Sequence, residues 1–169
     1  MNAIHRAAAL LSRAAAFEAP VVDVDGLQYR EALQVVRVEG GVANNVVPDR
    51  CRVVVNRRYA PARALEDVLD ELRALCTGAE DVEVLNASIA APPNLGHPLV
   101  AEFVATGRLR VRPKLGWTDV ARFAAVGVPA CNYGPGDPDL AHTALERVGR
   151  GDLDRCRATL GTFLGLPPA

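Results

Sequence analysis

Histidine is scarce in this chain of 169 residues: there are three, alongside one methionine and one tryptophan. No HExxH and no closely spaced histidine pair occurs, so no self-contained zinc motif can be read from the sequence. Neither GxGxxG nor GxxxxGK[ST] is present, which removes the usual phosphate-cradling fingerprints. The four cysteines, Cys51, Cys76, Cys131 and Cys156, are far apart and form no CxxC. They fit reduced, mostly buried thiols of a cytoplasmic protein better than a disulfide framework. No run of 18 uncharged apolar residues suggests a membrane span. Charge of one sign is also lacking: 19 Lys+Arg oppose 20 Asp+Glu, for a formal net charge of -1. Such a balance gives no broad field for nucleic acid or an anionic membrane surface.

What is present is a folding pattern. Ile4, Ala7, Ala8, Leu11 and Ala15 recur at helical spacing, with Asn2 available as N-cap. "LQYREALQVVRVEG" reads as a β segment closed by Gly40-Gly41, and "RCRVVVNRR" alternates as a half-buried strand. Residues 60–78 form an amphipathic helix, with Pro61 in its first turn and Gly78 at its end. "DVEVLNASIAAPP" reads as a further strand stopped by two prolines. Helix, strand, strand, helix, strand is the order of an α+β module with two helices on one face of an antiparallel sheet. A sheet of this kind usually opens with a strand ahead of the first helix, and that strand is expected upstream of Met1.

"PPNLGHPL" is a proline- and glycine-rich linker. Beyond it come short apolar strands and helices, with "VPACNY" a strand leading through "GPG" into a helix over "PDLAHTALERV". This is α/β grammar, in which ligands sit at the strand's carboxyl end. The last helix is expected to be capped by Asp152. The division is residues 1–91 and residues 92–169.

Several residues could carry chemistry. His142 and Glu146, four apart on the expected helix, would share one face; His142 is either a metal ligand or a surface or capping histidine. Asp119 and Arg122 in "GWTDVARF" either cap a helix or hold a substrate anion beside Trp117, and Thr118 competes for the cap. Gly134-Pro135-Gly136 could aim backbone amides at an anion, although Pro135 removes one donor. Asn45 either shapes a turn or donates to a ligand. Of Arg57 and Arg58, at least one is expected in solvent, and the other could bind a carboxylate. No serine or cysteine has a sequence-local base, so nucleophilic catalysis has no support.

"NAIHRAAALLSR", "GGVANNVVPDRCRVVVNRRYAP", "GWTDVARF" and "GVPACNYGPGDPDLAHTALERV" together resemble, in order and spacing, the later part of the succinyl-diaminopimelate desuccinylases of the M20 metallopeptidase family. Acetylornithine deacetylases and other acyl-amino-acid hydrolases share the plan. The resemblance implies a lid and dimerisation domain lacking its first strand, then the C-terminal α/β piece of a zinc-hydrolase catalytic domain. It implies hydrolysis of an N-acyl amino acid by a water activated on two metal ions, usually zinc, with His142 as one ligand. Asn45, Arg57 or Arg58, Thr118, Asp119, Arg122, Gly134 and Gly136 inherit places around a small acyl-amino-acid substrate. A homodimer through the lid sheet is implied as well. The family's other metal ligands, its general-base glutamate and its lid histidine would precede Met1, and His5 does not replace that histidine. Trp117 stands where the family usually has a small polar residue. The expectation is a fragment with little activity of its own, or else a non-catalytic dimerisation module.

Overall fold

A computed structural model describes residues 1–167. The chain enters α1 (Ala3–Ala15) with Asn2 as its cap, the Asn2 carboxamide accepting the amides of Ile4 and His5 at 2.9 and 3.2 Å. The covered stripe of α1 runs through Ala3, Ala7, Leu10, Leu11 and Ala14, one position off the stripe expected from periodicity, and Ile4 is exposed. Two antiparallel pairs follow: β1 (Val21–Val24) with β2 (Leu27–Arg30), and β3 (Ala32–Gly40) with β4 (Cys51–Arg58). The first hairpin turns on Asp25-Gly26, both at positive φ (53° and 78°), as a two-residue turn with primed geometry requires.

The single β segment expected over residues 27–40 is therefore two strands, parted at Glu31, whose side chain is buried and hydrogen-bonded across the fold. Two small sheets replace the one antiparallel sheet of the expectation. A bulge between Val35 and Arg37 shifts the β3–β4 register and leaves Val36 and Val38 exposed. Helix α1 lies against β3 and β4, while α2 (Leu65–Leu75) lies against α1. Gly40 permits the close approach of α1, because a Cβ there would come within 3.1 Å of the Ile4 side chain. Arg13 of α1 donates to the carbonyls of Leu75 and Thr77 at 2.9 and 2.7 Å, which satisfies acceptors left open by the end of α2. Val68 of α2 is 2% exposed, a burial that contributes about 1.5–3 kcal/mol. Pro61 falls in the turn ahead of α2 rather than in its first turn, since the helix starts at Leu65 after Ala64.

Residues 81–91 form no strand, in contrast to the sequence reading. They have the composition of one, but no ladder partner takes up their backbone, and Val82, Val84, Leu85 and Ile89 are exposed.

Proline opens α3 (Pro98–Gly107), consistent with its fixed φ at a first helical position. Phe103 of α3 meets Tyr133 edge-on at 4.9 Å and Phe163 of α5 (Arg150–Phe163) at 4.8 Å between ring centroids, and these contacts hold the second half together. Between them lies α4 (Val120–Ala125). "VPACNY" is not a strand among the described residues. Asp152 sits in the first turn of α5 and pairs with Arg155, the cap position being Gly149. Among the described residues no helix is long and apolar enough to cross a membrane.

Candidate functional site

The end of β4 sorts the two arginines by the alternation of the strand. Arg57 turns inward, its side chain 2% exposed, and pairs with Glu31, whose side chain is 0% exposed. Arg63 joins Glu31 at 3.3 Å, and Glu71 of α2 reaches Arg57 at 3.3 Å and Arg63 at 2.9 Å. The Ala60 amide donates to the second Glu31 oxygen at 2.9 Å, and Phe17 lies with its ring 4.7 Å from the Arg57 guanidinium. Two carboxylates thus face two guanidiniums, and the turn after β4 is clamped from beneath. Burial pushes the Glu31 carboxyl upward, but the Ala60 amide and the Arg57 and Arg63 guanidiniums outweigh it and hold the group below its ordinary value. Arg58 points the other way, into solvent.

Asn45 lies in the exposed loop between β3 and β4, in a turn, as one of its two sequence readings had it. That loop is tethered to α1 by the Ala3 amide, which donates to the Pro48 carbonyl at 2.9 Å.

In the second half, Thr118, Asp119 and Arg122 surround the start of α4. Asp119 occupies the cap position without making a side-chain cap hydrogen bond; its carboxylate instead lies 3.4 Å from Arg122 Nε. The Arg122 guanidinium stands 5.5 Å over the ring of Trp117, which is 58% exposed. Asn132 donates its side-chain amide to the Thr118 hydroxyl at 3.2 Å, which brings the segment before Gly134 against the α4 start. Gly136 has φ +84°, a backbone state glycine adopts without strain. Asp137 accepts the Asp139 amide and lies 3.4 Å from Arg112; these contacts hold its carboxyl below the ordinary value. A cleft of about 510 Å³ opens between this turn and the start of α5, lined by Gly136, Leu140, Arg147, Val148 and Asp152 among others.

His142 departs from the sequence reading. The expected helix over residues 138–148 is a single 3-10 turn, Pro138–Leu140, followed by turns. His142 takes the left-handed conformation at φ 64°, and its amide donates to the Glu146 carboxylate at 2.8 Å. Thr143 Oγ1 accepts the Leu145 amide at 3.2 Å. Side chains thus capture amides that a helix would use, the competition that makes Thr poor inside helices. His142 and Glu146 are coupled, but through a backbone amide and not along a helix face. Among the described residues no group of three or more His, Cys, Asp or Glu side chains is placed to hold a metal. The residues present do not by themselves fit a zinc centre.

Sequence reasoning missed Glu31, Tyr59, Ser88, Arg112 and Asn132. Only Glu31 carried a signal, as an acidic residue interrupting an apolar strand pattern.

Residues 1–81 match the model of the M20 peptidase dimerisation domain. A Mycobacterium tuberculosis protein assigned as the succinyl-diaminopimelate desuccinylase DapE is 46% identical over 165 residues, which is 97% of this chain and 47% of that protein. Residues 1–81 are thus an M20 peptidase dimerisation domain by sequence, and the chain as a whole is similar to M20 peptidases. The succinyl-diaminopimelate desuccinylase of Corynebacterium glutamicum is 43% identical over 170 residues, covering 96% of this chain and 46% of the relative. The acetylornithine deacetylase of Myxococcus xanthus is more distant, at 31% over 132 residues, 73% of this chain and 34% of its own length. The chain spans about half the length of the M20 relatives it matches most fully. The small antiparallel sheets and their helices are consistent with an M20 dimerisation module.

Proposed function

We propose that this chain provides the dimerisation and substrate-recognition elements of a cytoplasmic hydrolase that cleaves the amide bond of an N-acyl amino acid, N-succinyl-LL-2,6-diaminopimelate in the first instance. The observation that carries the reading is the 43% identity to the Corynebacterium glutamicum desuccinylase across 96% of the chain. Residues 1–91 are the dimerisation and lid part, and residues 92–169 the C-terminal catalytic part. Arg58, exposed at the end of β4, offers a guanidinium fork to a substrate carboxylate, while Arg57 spends its charge on Glu31. Asn45 donates from the β3–β4 loop. Thr118, Asp119 and Arg122 shape the opposite wall, and Gly134 and Gly136 keep the turn beside the acyl group open. His142 would supply one ligand to a zinc centre that the described residues do not complete by themselves.

Two experiments test this. Purified residues 1–169 with added zinc should release no succinate from N-succinyl-diaminopimelate above background. A chimera carrying this sequence in place of the matching half of the Corynebacterium glutamicum enzyme should regain desuccinylase turnover. A folded but inactive chimera would sink the reading, and a preference for acetylornithine would move it to the deacetylase branch.

The match of residues 1–81 to a dimerisation domain favours a second reading, a module that pairs two copies without catalysis. A monodisperse dimer in size-exclusion chromatography with light scattering, together with an inactive chimera, would select it.

A further inference from the structure

Residues 81–91 have no ladder to hold them, yet one residue in this stretch touches both halves of the chain. Tyr59 follows Arg58 directly, and its hydroxyl donates to the Ser88 carbonyl at 2.8 Å. Trp117 donates its indole N–H to the Ser88 hydroxyl at 3.3 Å, and that hydroxyl faces the Ile89 carbonyl at 3.4 Å. Ser88 is therefore bound from two sides: its backbone holds the end of β4, and its side chain holds the loop ahead of α4. Burial raises the Tyr59 phenol above its ordinary value, and Glu66 adds to this against the opposing Ala90 amide, so the hydroxyl keeps its proton as a donor.

The two ends of this path are the residues assigned to the substrate. Arg58 is the covalent neighbour of Tyr59, and Arg122 stands over the ring of Trp117. Thr118, next to Trp117, is held in turn by Asn132. An indole more than half exposed would otherwise be free to swing and carry the Arg122 contact with it.

We propose that Tyr59 and Ser88 are positioning residues: through the Trp117 indole they dock the Arg122 loop against the end of β4 and fix the spacing at which Arg58 and Arg122 meet an acyl-amino-acid carrying more than one carboxylate. The assignment of the ligand rests on the function proposed above, whereas the joint itself is a property of this chain without substrate or metal.

Trp117 is the one tryptophan of the sequence, so its fluorescence reports the joint directly. Time-resolved anisotropy on the full chain is the suitable readout, because an exposed indole is already open to quenchers and only its local rotation is restrained. Ser88→Ala and Tyr59→Phe should each enlarge the fast local rotation of Trp117. Ser88→Thr, which keeps the hydroxyl, should retain the wild-type decay. A reciprocal measurement does not depend on those variants: Trp117→Phe should speed amide exchange across residues 86–91. Unchanged anisotropy in Tyr59→Phe, a Ser88→Thr variant that behaves like Ser88→Ala, or unchanged exchange in Trp117→Phe would overturn the joint. A confirmed joint beside an inactive chimera would sink the substrate assignment alone.

Discussion

Arg57 and Arg58 are adjacent in sequence and opposite in environment: the first is sealed against Glu31 beneath the sheet, and the second stands in solvent at the strand end. Strand alternation makes the division, and the buried carboxylate makes the inward position tolerable for a charge. Removing the inward arginine leaves Glu31 with Arg63 as its one remaining cation, beside the Ala60 amide, whereas removing the outward one exposes nothing. Arg57→Ala is therefore expected to cost about 3 kcal/mol or more, the scale for breaking a buried pair. Arg58→Ala should stay within about 0.5 kcal/mol, as for a surface change. Urea unfolding of the two variants checks this, and equal losses would refute the assignment of their faces.

Glu31 gives the chain a pH dependence whose sign is fixed by its partners. Its folded pKa lies below the ordinary value of 4.5, so the folded state favours the ionised form. The stabilisation is fully present above that ordinary value and is lost as pH falls through the lower, folded one. Wild-type chain should accordingly lose stability steeply on acidification below about pH 4.5, with burial of the carboxyl acting in the opposite direction but outweighed. Glu31→Gln, with no proton to gain, should be less stable at neutral pH and show a flatter acid limb. Denaturant midpoints measured across this range decide it, and parallel acid limbs for the two proteins would exclude Glu31 as the source.

His142 tests whether metal affinity resides in this chain. Its neighbours supply one carboxylate, Glu146, which already accepts the His142 amide, and no cluster of three ligating side chains exists among the described residues. Tight zinc sites need three or four protein ligands with their second-shell partners. Titration calorimetry of residues 1–169 and of His142→Ala should give the same weak zinc binding. High-affinity uptake that disappears with His142→Ala would show that the chain assembles a centre by itself.

Where local chemistry decided the structure, the sequence was readable: the Asn2 cap, the β4 alternation, the Gly40-Gly41 strand end and the residues of α2 all follow from neighbours in the chain. The β1–β2 hairpin is signalled in "VDVDGLQ" by Asp-Gly at its turn, but its four-residue strands are too short to show a clear period. Residues 81–91 and 128–133 failed for a different reason. Strand propensity records how well a residue fits a pleated surface, and neither stretch has a neighbouring strand to complete one. The His142 segment failed because its Thr143 and Glu146 side chains take amides that a helix of this apolar spacing would use. Of the site, residue types near Arg58 and Arg122 were legible. The contacts that set them, through Glu31 and Ser88, join residues distant in sequence and leave no periodic trace.

The same contrast between laddered and unladdered backbone predicts uneven stability. In the first half, β3 and β4 are hydrogen-bonded along their length and cover Leu33, while Tyr29, Ala60 and Val68 are buried beside them. Among the described residues of the second half the buried side chains are Val100, Phe103 and Ala121, and residues 109–119 and 126–137 contain no helix or strand. Local opening is governed by how much buried apolar contact and ladder a segment must give up. Amides of β3 and β4 should therefore exchange slowest, those of α3 and α5 at intermediate rates through their Phe103–Phe163 contact, and those of residues 109–119 and 126–137 fastest. Hydrogen exchange followed by mass spectrometry on the intact chain resolves these segments. Protection in residues 109–137 equal to that of β4 would mean that the second half owns a core beyond the one Phe103 organises, and that its helices do not depend on a larger sheet to cover.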